Sequence, residues 1–526
     1  MDDFIHPATD PQIYTPDDIG LSMLYAENFR NCLLYAAKDG DDADGKWYSY
    51  DGKRWQPDNL RVRQNLAERF ARFLKRNSPY SEQIAELHAR QQSMETKDEK
   101  GEVKVIGDKS EVDNVKAKLA ILENMQKKWD RRISALHDLA GQRNLLAMAV
   151  NKLLKCSSDL DVETNLLNVE NCTLDIKPKG KRKGAVIRQQ NPTDYITKLA
   201  NVSYNKNADP TIWNQFASDI MCGREDLMRF FQRVCGYILS GNVVEKKFFI
   251  LYGPNTNNGK STFISILREI FGDYTAMLKS ESVIEQRFSS SSAPNPDITK
   301  LQGVRLVLVD EIPEHAKLDS NRLKQFTGSR AGLTGKQMYG EEITFKIQFN
   351  LIIALNEWGQ INDNSVFRSG RAMLIPFDAD FTGDNDNKDI DTLLRQPEVK
   401  QAALNWMIQG YADYLKYGLG EVPHEISALI DSYSYENNPI RRFVDDCLIE
   451  SKNDKIIWSS RTDFRCLKNI YHNWCTDNDV RPESTLRISK KFKEMGMYLS
   501  EYQPGTEKKT GGNKKYLWGW MLREGI

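Results

Sequence analysis

The sequence predicts an α/β fold, in which a parallel sheet carries helices on both faces, with a mixed α+β domain before it and a winged-helix domain after it. Continuous apolar runs predict strands that are buried on both faces of a sheet. Such runs occupy residues 248–252, 306–309, 351–355 and 372–377. The first run is followed by a loop and an apolar-periodic helix, and strands that alternate with helices are typical of parallel sheets.

Changes of pattern divide the chain into four segments. The expected boundaries are 1–200 for the α+β domain, 201–245 for a helical lead-in, 246–437 for the sheet domain and 438–526 for the C-terminal domain. In the first segment we expect a helix over Leu21–Ala37 and a hairpin over Trp47–Trp55, with Asp51-Gly52 as its turn. In the lead-in, apolar residues recur at helical spacing.

The C-terminal segment is more basic than the rest. Residues 440–526 carry 17 Lys/Arg against 12 Asp/Glu, whereas the whole chain of 526 residues has a formal net charge of +0. Helices over 464–477 and 485–495, followed by two strands around a basic glycine-rich loop, resemble a winged-helix domain. The candidate duplex-DNA contacts in this loop are Lys508, Lys509, Lys514 and Lys515. Docking of a protein is the alternative for this domain.

Composition excludes several classes of protein. No apolar run approaches the ~18 residues that a membrane span needs. Residues 1–6 are acidic and lack the build of a signal peptide, so we expect a cytoplasmic protein without membrane contacts. The eight cysteines include no C-x-x-C pair. Cys466, His472 and Cys475 form one cluster, which helical core packing explains better than zinc binding.

The loop after the first strand is the motif that carries chemistry. It ends in Gly-Lys-Ser-Thr and opens onto a helix, which is the order that a phosphate-binding loop needs. We expect Lys260 to reach the outer phosphates of a bound triphosphate and the Ser261 hydroxyl to bind Mg²⁺. The candidate nucleotide-binding residues are Gly253, Pro254, Asn255, Thr256, Asn257, Asn258, Gly259, Lys260, Ser261 and Thr262.

The spacing of this loop departs from the usual pattern of Gly, four residues, then Gly-Lys-Ser/Thr. Gly253 stands one residue too early, and Pro254 takes the place of the first glycine. Because Asn tolerates left-handed backbone geometry, we expect Asn255, Asn257 and Asn258 to replace the missing flexibility. The alternative is an ordinary loop with a chance Gly-Lys-Ser, and the flanking strand and helix argue against it.

Polar residues follow the later strands. Asp310 and Glu311 end the second run, where we expect Asp310 to hold Mg²⁺ and Glu311 to polarise the attacking water. Asn356 ends the third run and is expected to hold that water or touch the γ-phosphate. Arg368 and Arg371 precede the fourth run and are candidate arginine fingers. The alternatives are a solvated acidic turn and surface ion pairs.

This arrangement resembles superfamily 3 helicases, which are hexameric AAA+ P-loop NTPase motors, and within them the phage and plasmid primase-helicases, including the poxvirus type. Trp47–Trp55 and Leu166–Ile176 are similar to two segments that precede the motor in that branch, although Cys172 stands where Gly is usual. The resemblance covers roughly residues 25 to 445. The chain departs from the pattern in its lengthened phosphate loop and in having no recognisable primase domain before residue 25.

The resemblance implies an ATP-dependent DNA helicase that acts in the replication of a phage, plasmid or other mobile element, in the cytoplasm of its host. It implies a homo-hexamer with ATP and Mg²⁺ between subunits, where Arg371, ranked above Arg368, comes from the neighbouring subunit. The segment 327–341 corresponds to a hairpin in the central channel, with Lys336 at the phosphates of DNA and Tyr339 stacking on it.

The implied partners are single- and double-stranded DNA, other copies of the chain, and a separate primase or replication initiator. Two alternatives stay open. One is a nucleotide-dependent hexameric loader or remodelling ATPase without unwinding activity. The other is the helicase part of a primase-helicase system.

Overall fold

The structure of the protein is a computed structural model. It describes residues 10–38, 41–97, 103–106, 108–177, 185–285, 296–309, 312–313, 316–328, 332–336, 342–356, 360–361, 365–451, 461–504 and 514–523. The architecture is an N-terminal mixed α/β region, a parallel sheet covered by helices, and a smaller α+β region at the C-terminal end.

The described residues of the N-terminal region form five α-helices and two main sheets. Its elements are α1 (Asp18–Phe29), β1 (Leu33–Lys38), β2 (Asp41–Tyr50), β3 (Trp55–Pro57), α2 (Val62–Arg76), α3 (Ser81–Met94), β4 (Glu95–Lys97), β5 (Val103–Val105), α4 (Lys109–Ala135), α5 (Leu139–Leu153), β6 (Leu154–Cys156), β7 (Leu166–Val169), β8 (Cys172–Asp175) and β9 (Val186–Arg188). One sheet has the order β3-β2-β1-β6 and the other β7-β8-β9. The mixed α+β prediction for this region is therefore confirmed.

Two local predictions in this region have different outcomes. The hairpin is confirmed, because β2 and β3 pair antiparallel with Tyr50 opposite Trp55. The helix predicted over Leu21–Ala37 is wrong beyond Phe29, since β1 begins at Leu33 and pairs with both β2 and β6. Strand β1 is hydrogen-bonded to a neighbouring strand on each side. The stabilisation from this pairing outweighs the helical preference that the pattern of its apolar residues suggests.

The lead-in and the sheet domain follow. Their elements are α6 (Thr211–Ile220), α7 (Glu225–Leu239), β10 (Phe248–Tyr252), α8 (Lys260–Phe271), β11 (Thr275–Leu278), α9 (Pro296–Thr299), β12 (Leu306–Val309), β13 (Lys317–Leu318), α10 (Ser320–Phe326), β14 (Leu333–Lys336), β15 (Glu342–Phe345), β16 (Asn350–Leu355), β17 (Gln360–Ile361), α11 (Ser365–Arg368), β18 (Ala372–Pro376), α12 (Ile390–Leu394), α13 (Pro397–Tyr417) and α14 (His424–Glu436). The sheet has the order β11-β12-β16-β10-β18, and every neighbouring pair is parallel.

Successive side chains of a strand point to opposite faces of the sheet, so alternate residues of β10 lie in two separate cores. Phe249 and Leu251 pack with residues of α6, α7, α8 and α13. Phe248 and Ile250 pack with residues of α9, α10, α11 and α14. The predicted parallel sheet with helices on both faces is therefore confirmed.

Helices α7 and α13 touch backbone to backbone. A Cβ added at Gly236 would lie less than 3.0 Å from the backbone of Gly410 and Tyr411, and one added at Gly410 would lie equally close to the backbone of Gln232. Only glycine permits such an approach. The segments of chain that enter and leave the sheet are thus fastened to each other.

A buried arginine fastens the N-terminal region to the sheet. Arg305 precedes β12, and its guanidinium donates to the carbonyls of Leu239 at 2.7 Å and Leu166 at 2.5 Å. It also lies 4.6 Å from the centre of the Tyr274 ring. Burial lowers the pKa of this guanidinium, and the carbonyl at the C-terminal end of α7 compensates its charge. The amino end of β12 is therefore fixed by contacts with two other segments.

The C-terminal region has its own core. Its elements are α15 (Pro439–Cys447), β19 (Leu448–Glu450), β20 (Arg461–Asp463), α16 (Phe464–Asp477), α17 (Thr485–Glu494), β21 (Tyr498–Ser500), β22 (Tyr516–Trp518) and β23 (Trp520–Leu522). Strands β20, β22 and β21 form a three-stranded antiparallel sheet in that order. Cys475 is buried in this core while Cys466 is exposed, and the described residues contain no metal-binding cluster. Within the described ranges, no helix has the length and apolarity that crossing a membrane requires.

Candidate phosphate-binding site

The Gly-Lys-Ser loop lies at the carboxyl edge of the parallel sheet. It leaves β10, a strand flanked by β16 and β18, and ends at the first residue of α8. The exposed part of the loop comprises Pro254, Asn255, Thr256 and Asn257, whereas Asn258 and Lys260 are 4% and 5% exposed. The loop therefore projects its lengthened portion into solvent and turns its last residues inward.

Gly253 serves as the first glycine of the loop although it stands one residue early. Its N–H donates to Leu355 O at 3.2 Å, and an added Cβ would lie under 3.0 Å from the Phe377 carbonyl and the Asn258 side chain. At the other end, Gly259 has φ +80, a left-handed conformation that favours glycine. Both glycines are thus required by the geometry of the loop.

The prediction about the asparagines is right for one and wrong for two. Asn257 has φ 55, whereas Asn255 and Asn258 do not adopt positive φ. Asn258 instead braces the loop with its buried amide, whose Nδ2 donates to Asn255 O at 2.6 Å. Its Oδ1 accepts from the Lys260 N–H at 3.3 Å. The extra residue is accommodated by a side-chain bridge, which backbone propensity alone does not reveal.

Lys260 and Asn356 meet at this edge. The Lys260 ammonium donates to Asn356 Oδ1 at 2.7 Å and to Gly253 O at 2.9 Å. Asn356 follows β16, whose Leu355 lies opposite Tyr252, the last residue of β10. The sequence marks Lys260 and Asn356 as separate candidates. The parallel pairing of β10 with β16 brings them together. Ser261 is exposed at the start of α8, and Thr262 is partly buried.

Asp310 and Glu311 lie outside the described residues. The strand that precedes them, β12, is described, and Val309 pairs with Ile353 of β16. The chain therefore leaves β12 at the same edge of the sheet at which the phosphate loop and Asn356 lie. The roles assigned to this acidic pair remain predictions.

Arg371 lies at the opposite edge. It directly precedes β18, and its carbonyl accepts from the N–H of Phe248, the first residue of β10. Strand β10 separates this edge from the Gly-Lys-Ser loop, and the four steps between its five residues span roughly 13 Å at about 3.3 Å each. Its guanidinium donates to Thr327 Oγ1 at 3.0 Å. Arg368 ends α11, and its side chain is not among the described ones.

A half-buried lysine neighbours this edge. Lys247 Nζ donates to Gly370 O at 2.6 Å. Burial lowers the pKa of Lys247, and the charge of Glu245 opposes this effect. The carbonyl that precedes Arg371 is thus held by a cation.

The candidate DNA contacts are separated from the phosphate loop. Lys336 is exposed and ends β14, which pairs antiparallel with β15 so that Lys336 faces Glu342. The first of these two antiparallel strands lies in the segment 327–341 in which the hairpin is predicted, but the second strand, Glu342–Phe345, lies beyond that segment. Tyr339 lies outside the described residues. Lys514 and Lys515 are exposed just before β22, whereas Lys508 and Lys509 lie outside the described residues.

Two apolar residues, Ile220 and Phe381, lie against the loop, and the sequence analysis did not identify them as part of the site. An added Cβ at Gly259 would lie under 3.0 Å from Ile220 and 3.1 Å from the ring of Phe381. The N–H of Phe381 also donates to Asn257 O at 2.9 Å. No sequence signal marked either residue, because Ile220 ends a helix of the lead-in and Phe381 lies in a polar segment after β18.

Two parts of the chain match known sequence families. Residues 34–222 match the family described as D5 N terminal like, and residues 251–370 match a family of unknown function, DUF5906. A solved structure described as the apo structure of the NrS-1 C terminal region aligns with a TM-score of 0.38 and 13% identity, covering 61% of this chain and 77% of that one.

Two viral proteins are similar in sequence. Putative helicase L207/L206 of Acanthamoeba polyphaga mimivirus is 26% identical over an alignment of 316 residues that covers 56% of this chain and 32% of that protein. Putative helicase V13 of the Sputnik virophage is 22% identical over an alignment of 232 residues that covers 39% of this chain and 30% of that protein. The chain spans about a third of the length of these relatives. The D5 N terminal match and these relatives support a kinship with helicase-like viral proteins.

Proposed function

We propose that the protein is an ATP-dependent DNA helicase of the superfamily 3 AAA+ class, which forms rings and acts in the replication of a virus, phage or other mobile element. The observation that carries the proposal is the buried Lys260 ammonium at the end of a glycine-flanked loop, 2.7 Å from Asn356 on the neighbouring strand. The similarity to two putative viral helicases supports the same conclusion.

The residues at the loop fit a nucleoside triphosphate with Mg²⁺. A helix leaves the first-turn N–H groups without partners inside the helix, so the start of α8 offers donors and a positive dipole to phosphate oxygens. Lys260 supplies a full positive charge, and the exposed Ser261 hydroxyl is placed to coordinate the metal. We assign Asp310 to the metal and Glu311 to the orientation and activation of water.

The separation of Arg371 from the phosphate loop supports sites shared between subunits. An arginine at the amino edge of the sheet is too far from its own Lys260 to contact the same phosphates, since roughly 13 Å of strand separates the edges. In a ring, that edge of one subunit would face the carboxyl edge of the next, so that Arg371 completes the neighbour's site. Arg368 is the second candidate for this role.

The proposed DNA contacts lie in two places. The hairpin of β14 and β15 would place Lys336 and Tyr339 on a single strand in the channel of the ring. We propose that the C-terminal region is a winged-helix domain, a view supported by the order β20, α16, α17, β21, β22 and by its antiparallel sheet. The wing between β21 and β22 would contact duplex DNA through Lys508, Lys509, Lys514 and Lys515.

A combined assay tests the proposal. ATP hydrolysis by the purified chain should rise on addition of single-stranded DNA, and a labelled strand should be displaced from a forked duplex only with ATP and Mg²⁺. Lys260→Ala should abolish both activities with its fold intact, because the lysine is needed at the phosphates. Hydrolysis without strand displacement on any fork would favour a loader or remodelling ATPase. A primer-synthesis assay on single-stranded DNA tests whether priming belongs to a separate partner.

A further inference from the structure

The backbone and the side chain of Arg371 are both hydrogen-bonded. Its N–H donates to Val366 O at 2.9 Å, and its carbonyl accepts from the Phe248 N–H at 2.9 Å. The guanidinium, which is partly exposed, donates from Nη1 to Thr327 Oγ1 at 3.0 Å. Within the described part of the chain it forms no salt bridge. Among the described residues, the hydroxyl of Thr327 is the polar group to which this guanidinium donates.

The Thr327 hydroxyl is itself fixed. Thr327 is 4% exposed and caps the C-terminal end of α10. Its hydroxyl donates to Leu323 O at 2.7 Å, which uses its single proton. A hydroxyl has two acceptor lone pairs, so the oxygen that remains can only accept, and it accepts from Arg371. The Thr327 hydroxyl therefore donates to the end of α10 and accepts from the guanidinium, and these two roles cannot be exchanged.

Thr327 also connects two elements of the proposed motor. It directly follows the last residue of α10, and β14 of the hairpin begins six residues later at Leu333. Arg371 directly precedes β18, at the edge assigned to the neighbouring subunit's nucleotide. This single bond thus joins the base of the hairpin segment to the start of β18.

We propose that Thr327 is a positioning residue that holds Arg371 in the orientation needed to reach the nucleotide of a neighbouring copy. The inference rests on the proposed function, because it takes Arg371 as the finger. Thr327 touches no nucleotide itself and acts only through the guanidinium. The competing explanation is that its hydroxyl merely caps α10, in which case its loss would affect stability and leave the catalytic step unchanged.

Matched pairs of variants isolate the hydroxyl. Thr327→Val replaces the hydroxyl by a methyl group of similar size, and Thr327→Ser keeps the hydroxyl. We expect Thr327→Val to lower kcat roughly tenfold or more, with the dissociation constant of a fluorescent ATP analogue changed less than twofold. Thr327→Ser should retain most of the activity. In an Arg371→Ala background, Thr327→Val should lower the residual activity no further. If Thr327→Val does not fold, Thr327→Ala against Thr327→Ser makes the same comparison.

The outcomes separate this inference from the proposed function. Full activity of Arg371→Ala would remove the finger assignment, and the positioning role would fall with it. An inactive Arg371→Ala beside a Thr327→Val with normal kcat would overturn the positioning role alone. A lowered melting temperature with unchanged kcat, or a loss of kcat that adds to that of Arg371→Ala, would reduce Thr327 to a helix cap.

Discussion

Lys260 Nζ lies 2.7 Å from Asn356 Oδ1, and this bond joins the loop after β10 to the end of β16. The amide is an uncharged acceptor, so it holds the ammonium without neutralising it. A lysine that keeps its charge while its position is restrained is prepared to bind phosphate.

Substitutions of Asn356 distinguish two effects on Lys260, the restraint of its position and the neutralisation of its charge. Asn356→Ala should leave nucleotide affinity within about threefold and lower kcat by roughly 100-fold, because Lys260 retains Gly253 O as a partner while the polar group assigned to the water is lost. Asn356→Asp should weaken triphosphate binding, since a carboxylate would pair with Lys260 and repel phosphate oxygens. Nucleotide titration and steady-state kinetics measure both effects. Tighter binding in the Asp variant would contradict this view.

Mixing two impaired variants tests whether sites are shared. Lys260→Ala and Arg371→Ala would each remove one half of the proposed shared site, and the two residues lie at opposite edges of the sheet. Mixtures should regain ATPase activity, because some interfaces then pair an intact loop with an intact arginine. Each variant alone serves as the control. Absence of recovery in mixtures that demonstrably exchange subunits would mean that each chain completes its own site.

The contact between α7 and α13 makes a stability prediction. Alanine is a better helix former than glycine by about 1 kcal/mol, so a Gly→Ala substitution would stabilise a helix at a solvent-exposed position. Here the added methyl group meets the backbone of α7, and we expect a net loss of about 2 kcal/mol in the free energy of unfolding. Gln409→Ala, at the exposed neighbouring position, is the control. Urea denaturation that shows Gly410→Ala as stable as the wild type would refute the close packing.

Cysteine labelling tests the burial of Cys235, in a core beside the parallel sheet, and of Cys447, in the core of the C-terminal region. Burial raises the pKa of Cys447 to about 11 and that of Cys235 further, so both remain neutral thiols at pH 8. Cys222 and Cys466 are exposed. Iodoacetamide at pH 8 should label the exposed pair first, as mass spectrometry can measure, and should spare Cys235 and Cys447 until urea unfolds the chain. Modification of Cys235 or Cys447 in the native protein as fast as that of the exposed pair would contradict their burial.

The wing can be tested through the salt dependence of duplex binding. Removing two phosphate contacts by Lys514→Ala with Lys515→Ala should flatten the slope of log affinity against log salt by about 2 units, at roughly 0.9 per contact. Lys127→Ala with Lys128→Ala, at exposed positions of α4, removes the same charge elsewhere and is the control. Equal slopes in the two double variants would favour protein docking over duplex binding.

The sequence predicted the sheet and the edge at which the site lies more fully than the contacts within it. Buried parallel strands leave continuous apolar runs, and the residues that follow them share one edge, which is why Lys260 and Asn356 were found. The fate of Leu33–Lys38 depended on pairing with β6, more than 110 residues later, and a helical pattern misled there. The amide bridge of Asn258 and the hydroxyl of Thr327 depend on tertiary geometry, and no spacing rule encodes them.

The junction between α7 and α13 determines how this chain can be divided for experiment. The same core that holds Phe249 and Leu251 also contains Phe231 of α7, and Leu167 and Leu174 of β7 and β8. A recombinant fragment that starts at residue 246 would expose these apolar faces and is expected to aggregate. A fragment built around the sheet should therefore begin ahead of β7 and extend through α14, and boundaries drawn there offer the best prospect of a folded product.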